Sequence, residues 1–191
     1  HHPGIVSYVA HGIAAEGWPF LAMEWLAGEN LAERLQRGPL SIPECLTLSE
    51  RVASALALAH QRNIIHRDIK PSNLFLRDGQ IANLSLIDFG IARGDLQVGM
   101  TATNMVVGTP EYMAPEQVRG GAVDARTDVY ALGAVLYHAL TGRPPFRGDT
   151  PISVGLAHCQ DPVTPPRQLR PDIPPVWDSV ILRALEKTPA A

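Results

Sequence analysis

Residues 66–73 read HRDIKPSN, and this stretch decides how the rest of the chain is interpreted. It brings together a carboxylate (Asp68), an ammonium group (Lys70) and an amide (Asn73). An apolar helical pattern precedes it, and the short apolar run 74–76 follows it. A polar loop between two packed elements is a common place for a functional site on a rigid scaffold. Residues 66–73 are therefore the first candidate for a functional site.

Two further motifs follow in a fixed order. Asp88-Phe89-Gly90 begins fifteen residues after Asn73, and Ala114-Pro115-Glu116 lies further along the chain. The ordered set resembles the signature of the protein kinases, H-R-D-L-x-x-x-N, then D-F-G, then A-P-E. Only Ile69 departs from it, because it replaces a Leu with an apolar residue of equal size. The resemblance extends over nearly the whole chain.

Two details indicate a branch of that family. Lys70 followed by Pro-Ser resembles the serine/threonine kinases rather than the tyrosine kinases. The run GTPEYMAPEQ at 108–117, with Gln117 after the Glu, looks like the eukaryotic-type (Hanks-type) kinases of bacteria. The resemblance implies a protein serine/threonine kinase that transfers the ATP γ-phosphate to Ser or Thr hydroxyls of protein substrates in signal transduction.

The same resemblance implies a fold and a division of the chain. We expect the α+β protein-kinase-like fold, with a mainly helical C-lobe and the last strands and hinge of the N-lobe. Residues 1–26 would be the N-lobe remnant (strands four and five and the hinge), and 27–191 the C-lobe, truncated at its C-terminal end. A Gly-rich loop, a strand Lys and a helical Glu cannot be assigned, nor can the Arg that pairs with Glu116 in this family. We therefore expect a fragment that is inactive by itself.

The catalytic roles that the resemblance implies fall on five residues. Asp68 would be the base that orients the substrate hydroxyl and accepts its proton, and Lys70 would neutralise charge on the transferring phosphate. Asn73 and Asp88 would hold Mg²⁺, with Mn²⁺ as the alternative ion. Thr109 would donate a hydrogen bond to Asp68 and accept one from Lys70.

The ATP site would also use the hinge. Met23 would be the gatekeeper, and the Glu24 carbonyl and the Leu26 amide would bond the adenine edge. Glu29 would approach the ribose or a basic substrate residue, although a solvated Glu explains it equally well. On its own, this stretch is also explained by a plain β-hairpin whose Met and Trp fill a core. The implied nucleotide contacts are Met23, Glu24, Leu26, Glu29, Lys70, Asn73, Phe75 and Asp88.

Residues 94–107 are small, polar and irregular, as expected of an activation loop. Arg67 directly precedes the expected base, and an Arg can capture a phosphate in a bidentate pair. Thr101 and Thr103 are the hydroxyls placed to receive that phosphate. Ordinary loop threonines are the alternative reading. A dimer would serve autophosphorylation of this loop.

Local patterns predict the main elements. The apolar runs Ile5–Ala10 and Phe20–Trp25 flank a Gly-containing turn and favour a hairpin. Capping boxes begin a short helix after Asn30 and a long one after Ser41, the latter ending near Arg62. Further predictions are a strand at 84–87, a buried helix at 124–141 in which Asp128 holds amides of the catalytic loop, an ordered surface connection at 162–175 and a helix at 176–187.

Composition narrows the class of protein. Hydrophobic residues make up 46% and charged residues 18% of the 191-residue chain, as is ordinary for one soluble globular domain. The net charge of −3 argues against a nucleic-acid partner. No apolar run approaches the length of a membrane span. We expect a cytoplasmic protein with no membrane contact from this segment and with Cys45 and Cys159 reduced.

Other readings remain at this stage. His60 and His66 could form a zinc pair, but no third and fourth ligands occur at zinc-like spacing. His66 is better explained as a packed, hydrogen-bonded histidine. A pseudokinase or scaffold that binds partners is the rival from a non-enzyme class, although Asp68, Lys70, Asn73 and Asp88 weigh against it. A small-molecule phosphotransferase fits Ala-Pro-Glu less well.

Overall fold

The computed structural model describes residues 2–89 and 109–188. Its N-terminal part is an antiparallel hairpin of β1 (Tyr8–Ile13) and β2 (Pro19–Met23). Gly17 has a φ of +85° in the connecting turn, a conformation that Gly adopts without steric cost. The predicted hairpin is confirmed, but its first strand begins three residues later than predicted. The preceding residues pair elsewhere, since the Val6 amide donates to the Leu86 carbonyl at 3.0 Å.

A second, three-stranded antiparallel sheet lies beside the loop 66–73. Its strands are β3 (Gly28–Asn30), β4 (Leu74–Arg77) and β5 (Leu84–Leu86), in the order β3-β4-β5. The predicted strand at 84–87 is one residue shorter than expected. Because β4 follows the loop directly, the sheet holds the C-terminal end of that loop.

Two helices with capping boxes lead to the loop. Helix α1 (Leu31–Leu35) starts at Asn30, and α2 (Ile42–His60) starts at Ser41, as predicted. Each cap side chain accepts the amide of the Glu three residues later, and that Glu accepts the amide of the cap residue. The apolar stripe predicted for α2 is buried throughout and comprises Leu48, Val52, Ala55, Leu56 and Ala59.

The centre of the C-terminal part is α4 (Ala125–Thr141), which follows the short α3 (Pro115–Val118). Asp124 caps α4, and Gly142 ends it with a left-handed φ of +77°. Most of the helix is buried on every side, as predicted. Val129 is the exception among the apolar residues cited for that prediction, because it is 48% exposed.

Three further helices complete the described chain: α5 (Pro151–Gln160), α6 (Pro166–Leu169) and α7 (Pro175–Ala184). The sequence reading omitted α5. It also treated 162–175 as free of helix, which is wrong over the single turn of α6. Pro166 stands at the start of that turn, where the missing N–H costs nothing.

One apolar core joins these elements. It contains residues of α1, α2, the three-stranded sheet, α4 and α7. The polar loop 66–73 lies at its edge, where Ile69 is buried and anchors the loop. Over residues 2–89 and 109–188, no helix combines the length and the apolar character needed to cross a membrane.

Candidate active site

Two side chains of the loop, those of Lys70 and Asn73, converge on the Asp68 carboxylate. Lys70 Nζ donates to Asp68 Oδ2 at 2.9 Å, and Asn73 Nδ2 approaches the same oxygen at 3.2 Å. Asn73 Nδ2 also donates to the Asp68 backbone carbonyl at 2.8 Å. The side chains of Lys70 and Asp68 are only 18% and 19% exposed, so their charges interact with limited screening by water. The loop therefore holds an oriented carboxylate beside a cation.

Asp128 anchors the start of the loop 66–73 through hydrogen bonds to its backbone amides. This fully buried carboxylate accepts the His66 amide on Oδ2 and the Arg67 amide on Oδ1, each at 2.8 Å. His60, the last residue of α2, places Nε2 2.7 Å from Oδ2. The prediction that Asp128 holds amides of the loop is confirmed. The contact with His60 was missed, because nothing local relates residues 68 positions apart.

His66 is a buried, hydrogen-bonded histidine, as expected. Its Nε2 donates to the Ile87 carbonyl at 3.1 Å, while Nδ1 faces the Asp68 amide at 3.4 Å. A carbonyl can only accept and an amide N–H can only donate, so these partners specify the neutral Nε2–H tautomer. Burial lowers the pKa of His66, which favours the same neutral form. The ring also packs against Phe89, with centroids 4.6 Å apart.

Two non-glycine residues of the site have left-handed backbones. Arg67 has a φ of +66° and Asp88 a φ of +56°. Such conformations cost about 1–3 kcal/mol and persist where neighbouring groups impose them. At Arg67 those groups are identifiable. Asp128 bonds its amide, and Gln117 Nε2 donates to its carbonyl at 2.8 Å.

Gln117 links the two motifs that the sequence singled out. It is 7% exposed, and its Oε1 accepts the Ala114 amide at 3.0 Å while its Nε2 reaches the Arg67 carbonyl. From the sequence, Gln117 indicated only a resemblance to the bacterial branch of the family. A buried Gln directly after Ala-Pro-Glu is a weak signal, and its partner lies 50 residues upstream.

Asn73 and Asp88 are the residues expected to bind metal, and a backbone hydrogen bond brings their chain segments together. Asn73 donates two side-chain hydrogen bonds through Nδ2, and neither of them uses its Oδ1. Asp88 follows β5 and Ile87, whose amide donates to the Asn73 carbonyl at 3.0 Å. One amide oxygen and one carboxylate are hard donors of the type that Mg²⁺ takes together with phosphate oxygens. The donor chemistry therefore fits the expected ion. No group of three or more His, Cys, Asp or Glu residues in the described part of the chain could hold a metal by itself.

The expected hinge follows β2. Met23 ends that strand and is 37% exposed, Leu26 is half-buried, and Trp25 between them is 95% exposed. The Glu24 amide donates to the Ser7 carbonyl at 2.9 Å. Its backbone N–H is thereby used within the protein, which is compatible with a role for the carbonyl.

The Glu24 side chain points into structural contacts. Its Oε1 accepts the Ser7 amide at 2.8 Å and Arg77 Nη2 at 2.7 Å. These donors lower the pKa of Glu24, the Ser7 amide most strongly. Glu24 thus ties the hinge to β4.

Glu29 and Phe75 lie in paired strands. Glu29 forms a bidentate ion pair with Arg37, at 2.5 and 2.6 Å, and this hydrogen-bonded pairing lowers its pKa. A ligand of Glu29 would have to compete with Arg37. Phe75 is half-buried and pairs with Asn30 in the sheet.

Thr109 begins the second described range. The hydrogen bonds of Thr109 with Asp68 and Lys70 stay a prediction. Glu116, for which no family Arg can be assigned, accepts the Thr127 hydroxyl at 2.6 Å. The expected activation loop, with Thr101, Thr103 and Gly108, lies outside the described residues.

Two neutral histidines support the segment 109–116. The Tyr112 hydroxyl bonds His138 Nδ1 at 2.7 Å, and the Tyr130 hydroxyl bonds His158 Nδ1 at 2.8 Å. Burial lowers the pKa of each histidine to about 4. His158 is fully buried and also packs edge-on against Phe146, with centroids 4.8 Å apart.

Comparison with known proteins gives a consistent result. Residues 1–187 match the family model described as the protein kinase domain. A probable serine/threonine-protein kinase of Clostridium acetobutylicum is 41% identical over 171 residues, which cover 89% of this chain and 26% of that protein. A probable serine/threonine-protein kinase of Streptomyces coelicolor is 41% identical over 196 aligned residues, which cover 99% of this chain and 29% of that protein. The serine/threonine-protein kinase PknB of Mycolicibacterium smegmatis is 40% identical over 195 aligned residues, which cover 99% of this chain and 31% of that protein. The chain spans about a quarter to a third of the length of these relatives.

Proposed function

This chain belongs to the protein kinase domain family, and from that premise we propose that the full-length protein is a serine/threonine-protein kinase. It would transfer the γ-phosphate of ATP to Ser or Thr hydroxyls of protein substrates in the cytoplasm, where ATP is supplied. One observation carries the proposal. Lys70 and Asn73 both direct donors at the Asp68 carboxylate, at 2.9 and 3.2 Å. This arrangement orients a base and places a cation beside it.

Asp68 is the group that receives the proton. The substrate hydroxyl oxygen attacks the γ-phosphorus, its proton passes to the Asp68 carboxylate, and the bond between the γ-phosphorus and the β,γ-bridging oxygen breaks to release ADP. The contacts from Lys70 and Asn73 hold the carboxylate in one orientation throughout. Positioning of this kind lowers the barrier without any covalent chemistry by the protein.

Lys70 and the metal ligands handle the negative charge. The Lys70 ammonium stabilises charge that develops on the transferring phosphoryl group. Asn73 Oδ1 and the Asp88 carboxylate would hold Mg²⁺, or Mn²⁺ in its place, and the ion neutralises the phosphate oxygens when bound. The Glu24 carbonyl and the Leu26 amide would bond the adenine, with Met23, Glu29 and Phe75 around it.

Arg67 connects this site to the activation loop. Its backbone is held at both ends, by Asp128 and by Gln117, and its guanidinium has no hydrogen bond or ion pair within the described chain. We propose that it pairs with a phosphate on Thr101 or Thr103, added by a second copy of the protein. Replacing both threonines with Ala should reduce activity, and that double change should be nearly silent after Arg67→Ala. Independent, additive losses would contradict a shared pairing.

The test of the activity uses the full-length protein with radiolabelled ATP, Mg²⁺ and a generic basic protein. We expect label on Ser and Thr and none on Tyr after acid hydrolysis. Asp68→Asn is the matched control, because it keeps the shape of the side chain and removes its basicity. Labelling that is equal in the wild type and in this variant would reject the proposed mechanism. Binding of Mg-ATP without transfer by the wild type would favour a scaffold.

A further inference from the structure

Gln117 lies outside the loop 66–73 but bonds to the peptide unit that directly precedes the expected base. The Arg67 carbonyl and the Asp68 amide belong to the same peptide plane. Gln117 Nε2 donates to that carbonyl at 2.8 Å, whereas the amide reaches His66 Nδ1 only at 3.4 Å. The shorter bond is the stronger constraint, so Gln117 governs the orientation of this plane more than His66 does.

The plane needs such a constraint, because Arg67 has a left-handed φ of +66°. A long side chain rarely adopts this conformation, and the surrounding structure must impose it. Asp128 fixes the N-terminal side of Arg67 through its amide, and Gln117 fixes the C-terminal side through its carbonyl. Without Gln117, the carbonyl of this peptide would lose its 2.8 Å hydrogen bond.

The oxygen of the Gln117 carboxamide also has a defined hydrogen-bond partner. Its Oε1 accepts the Ala114 amide, and because an amide can only donate and a carbonyl can only accept, these two partners specify the orientation of the carboxamide. The side chain is 7% exposed, so water does not compete for either bond. A single carboxamide therefore connects the loop that carries Asp68 with the segment 109–116.

We propose that Gln117 is a positioning residue for phosphoryl transfer, which holds the Asp68 peptide in register with the segment 109–116. The inference rests on the proposed kinase activity and on Asp68 as its base. Gln117 touches neither nucleotide nor substrate in this role, so it should affect kcat and leave the KM for ATP unchanged.

The decisive variant is Gln117→Glu in the full-length protein. The carboxylate can still accept the Ala114 amide, but its second oxygen repels the Arg67 carbonyl. We expect kcat to fall about tenfold at pH 8, the scale of one lost hydrogen bond to a buried group. Protonation turns that oxygen into a donor, and burial raises the pKa of such a carboxyl. The ratio of wild-type to variant kcat should therefore fall toward one as the pH is lowered to 6.

Two further variants complete the experiment. Gln160→Glu makes the same charge change at an exposed residue at the end of α5, and its kcat ratio should stay near one at every pH. Gln117→Met keeps the length of the side chain and forms neither bond, so its kcat should be low at every pH with an unchanged KM for ATP. A wild-type kcat in Gln117→Met, or a pH-independent ratio for Gln117→Glu, would overturn the inference. An inactive wild-type protein would instead count against the proposed function.

Discussion

Asp128→Asn tests the anchoring of the catalytic loop most directly. Asp128 Oδ2 accepts both the His66 amide and His60 Nε2, and Oδ1 accepts the Arg67 amide. Asn can supply one oxygen, but its NH₂ group would then face donors in place of the other oxygen. In the less costly orientation the oxygen keeps the His66 and His60 contacts, and only the Arg67 amide loses its acceptor. A hydrogen bond to a charged group is worth about 1.5–3 kcal/mol, so the change should cost at least about 1.5 kcal/mol of local stability. This cost is large against a total stability of about 5–15 kcal/mol.

Hydrogen exchange measured by mass spectrometry can read this loss in the full-length protein. Amides in residues 64–70 should exchange more than about tenfold faster in Asp128→Asn, since each 1.4 kcal/mol corresponds to a factor of ten. Asp124→Asn is the matched control on the same helix, because Asn caps a helix as well as Asp does and Asp124 is exposed. An acceleration below about fivefold in Asp128→Asn would refute the reasoning.

The remaining predictions concern catalysis, metal binding and pH. Asp68→Asn should lower kcat by about 10²–10⁴-fold with little change in ATP affinity, as steady-state kinetics and nucleotide titration would show; an unchanged kcat would exclude Asp68 as the base. Asp88→Ala should abolish Mg²⁺-dependent nucleotide binding in calorimetry, because the carboxylate ligand is gone; normal Mg-ATP affinity would contradict the assignment. His158 has a folded pKa of about 4, below its ordinary value of 6.5, so the unfolded chain binds its proton first as the pH falls. The contribution of His158 to the free energy of unfolding is therefore complete above pH 6.5 and declines between pH 6.5 and pH 4 by up to about 3 kcal/mol. In urea denaturation at pH 7 and pH 5, His158→Gln should show a smaller loss of stability than the wild type. An equally large loss in the variant would assign the acid sensitivity to other groups.

Local rules predicted the elements that begin with a clear capping residue. Ser41 with Glu44 located the start of α2 to the residue, and the apolar stripe of that helix proved buried. Helix α5 also starts with a reciprocal cap, Thr150 with Ser153, but Ser in place of Glu or Gln gave no recognisable box. Sequence order and spacing were therefore sufficient for α2 and insufficient for α5.

Tertiary pairing accounts for the other differences. Residues 5 and 6 were predicted to start a strand, but they pair with Leu86, and this pairing depends on a partner about 80 residues away. The same reason explains the two missed contacts of the site. His60 meets Asp128, and Gln117 meets Arg67, only after the chain has folded. The motif residues themselves could be chosen in advance because their order and spacing resemble the protein-kinase signature.

The exposure of Trp25 makes the hinge visible to fluorescence. The chain has three tryptophans: Trp25 is 95% and Trp18 74% exposed, whereas Trp177 is 8% exposed in the core. The two exposed indoles should emit at longer wavelength than the buried one. Replacing Trp18 and Trp177 with Phe would leave a single emitter between Glu24 and Leu26. If Glu24 and Leu26 bond the adenine as proposed, its spectrum should shift when an adenine nucleotide is added, without any attached dye.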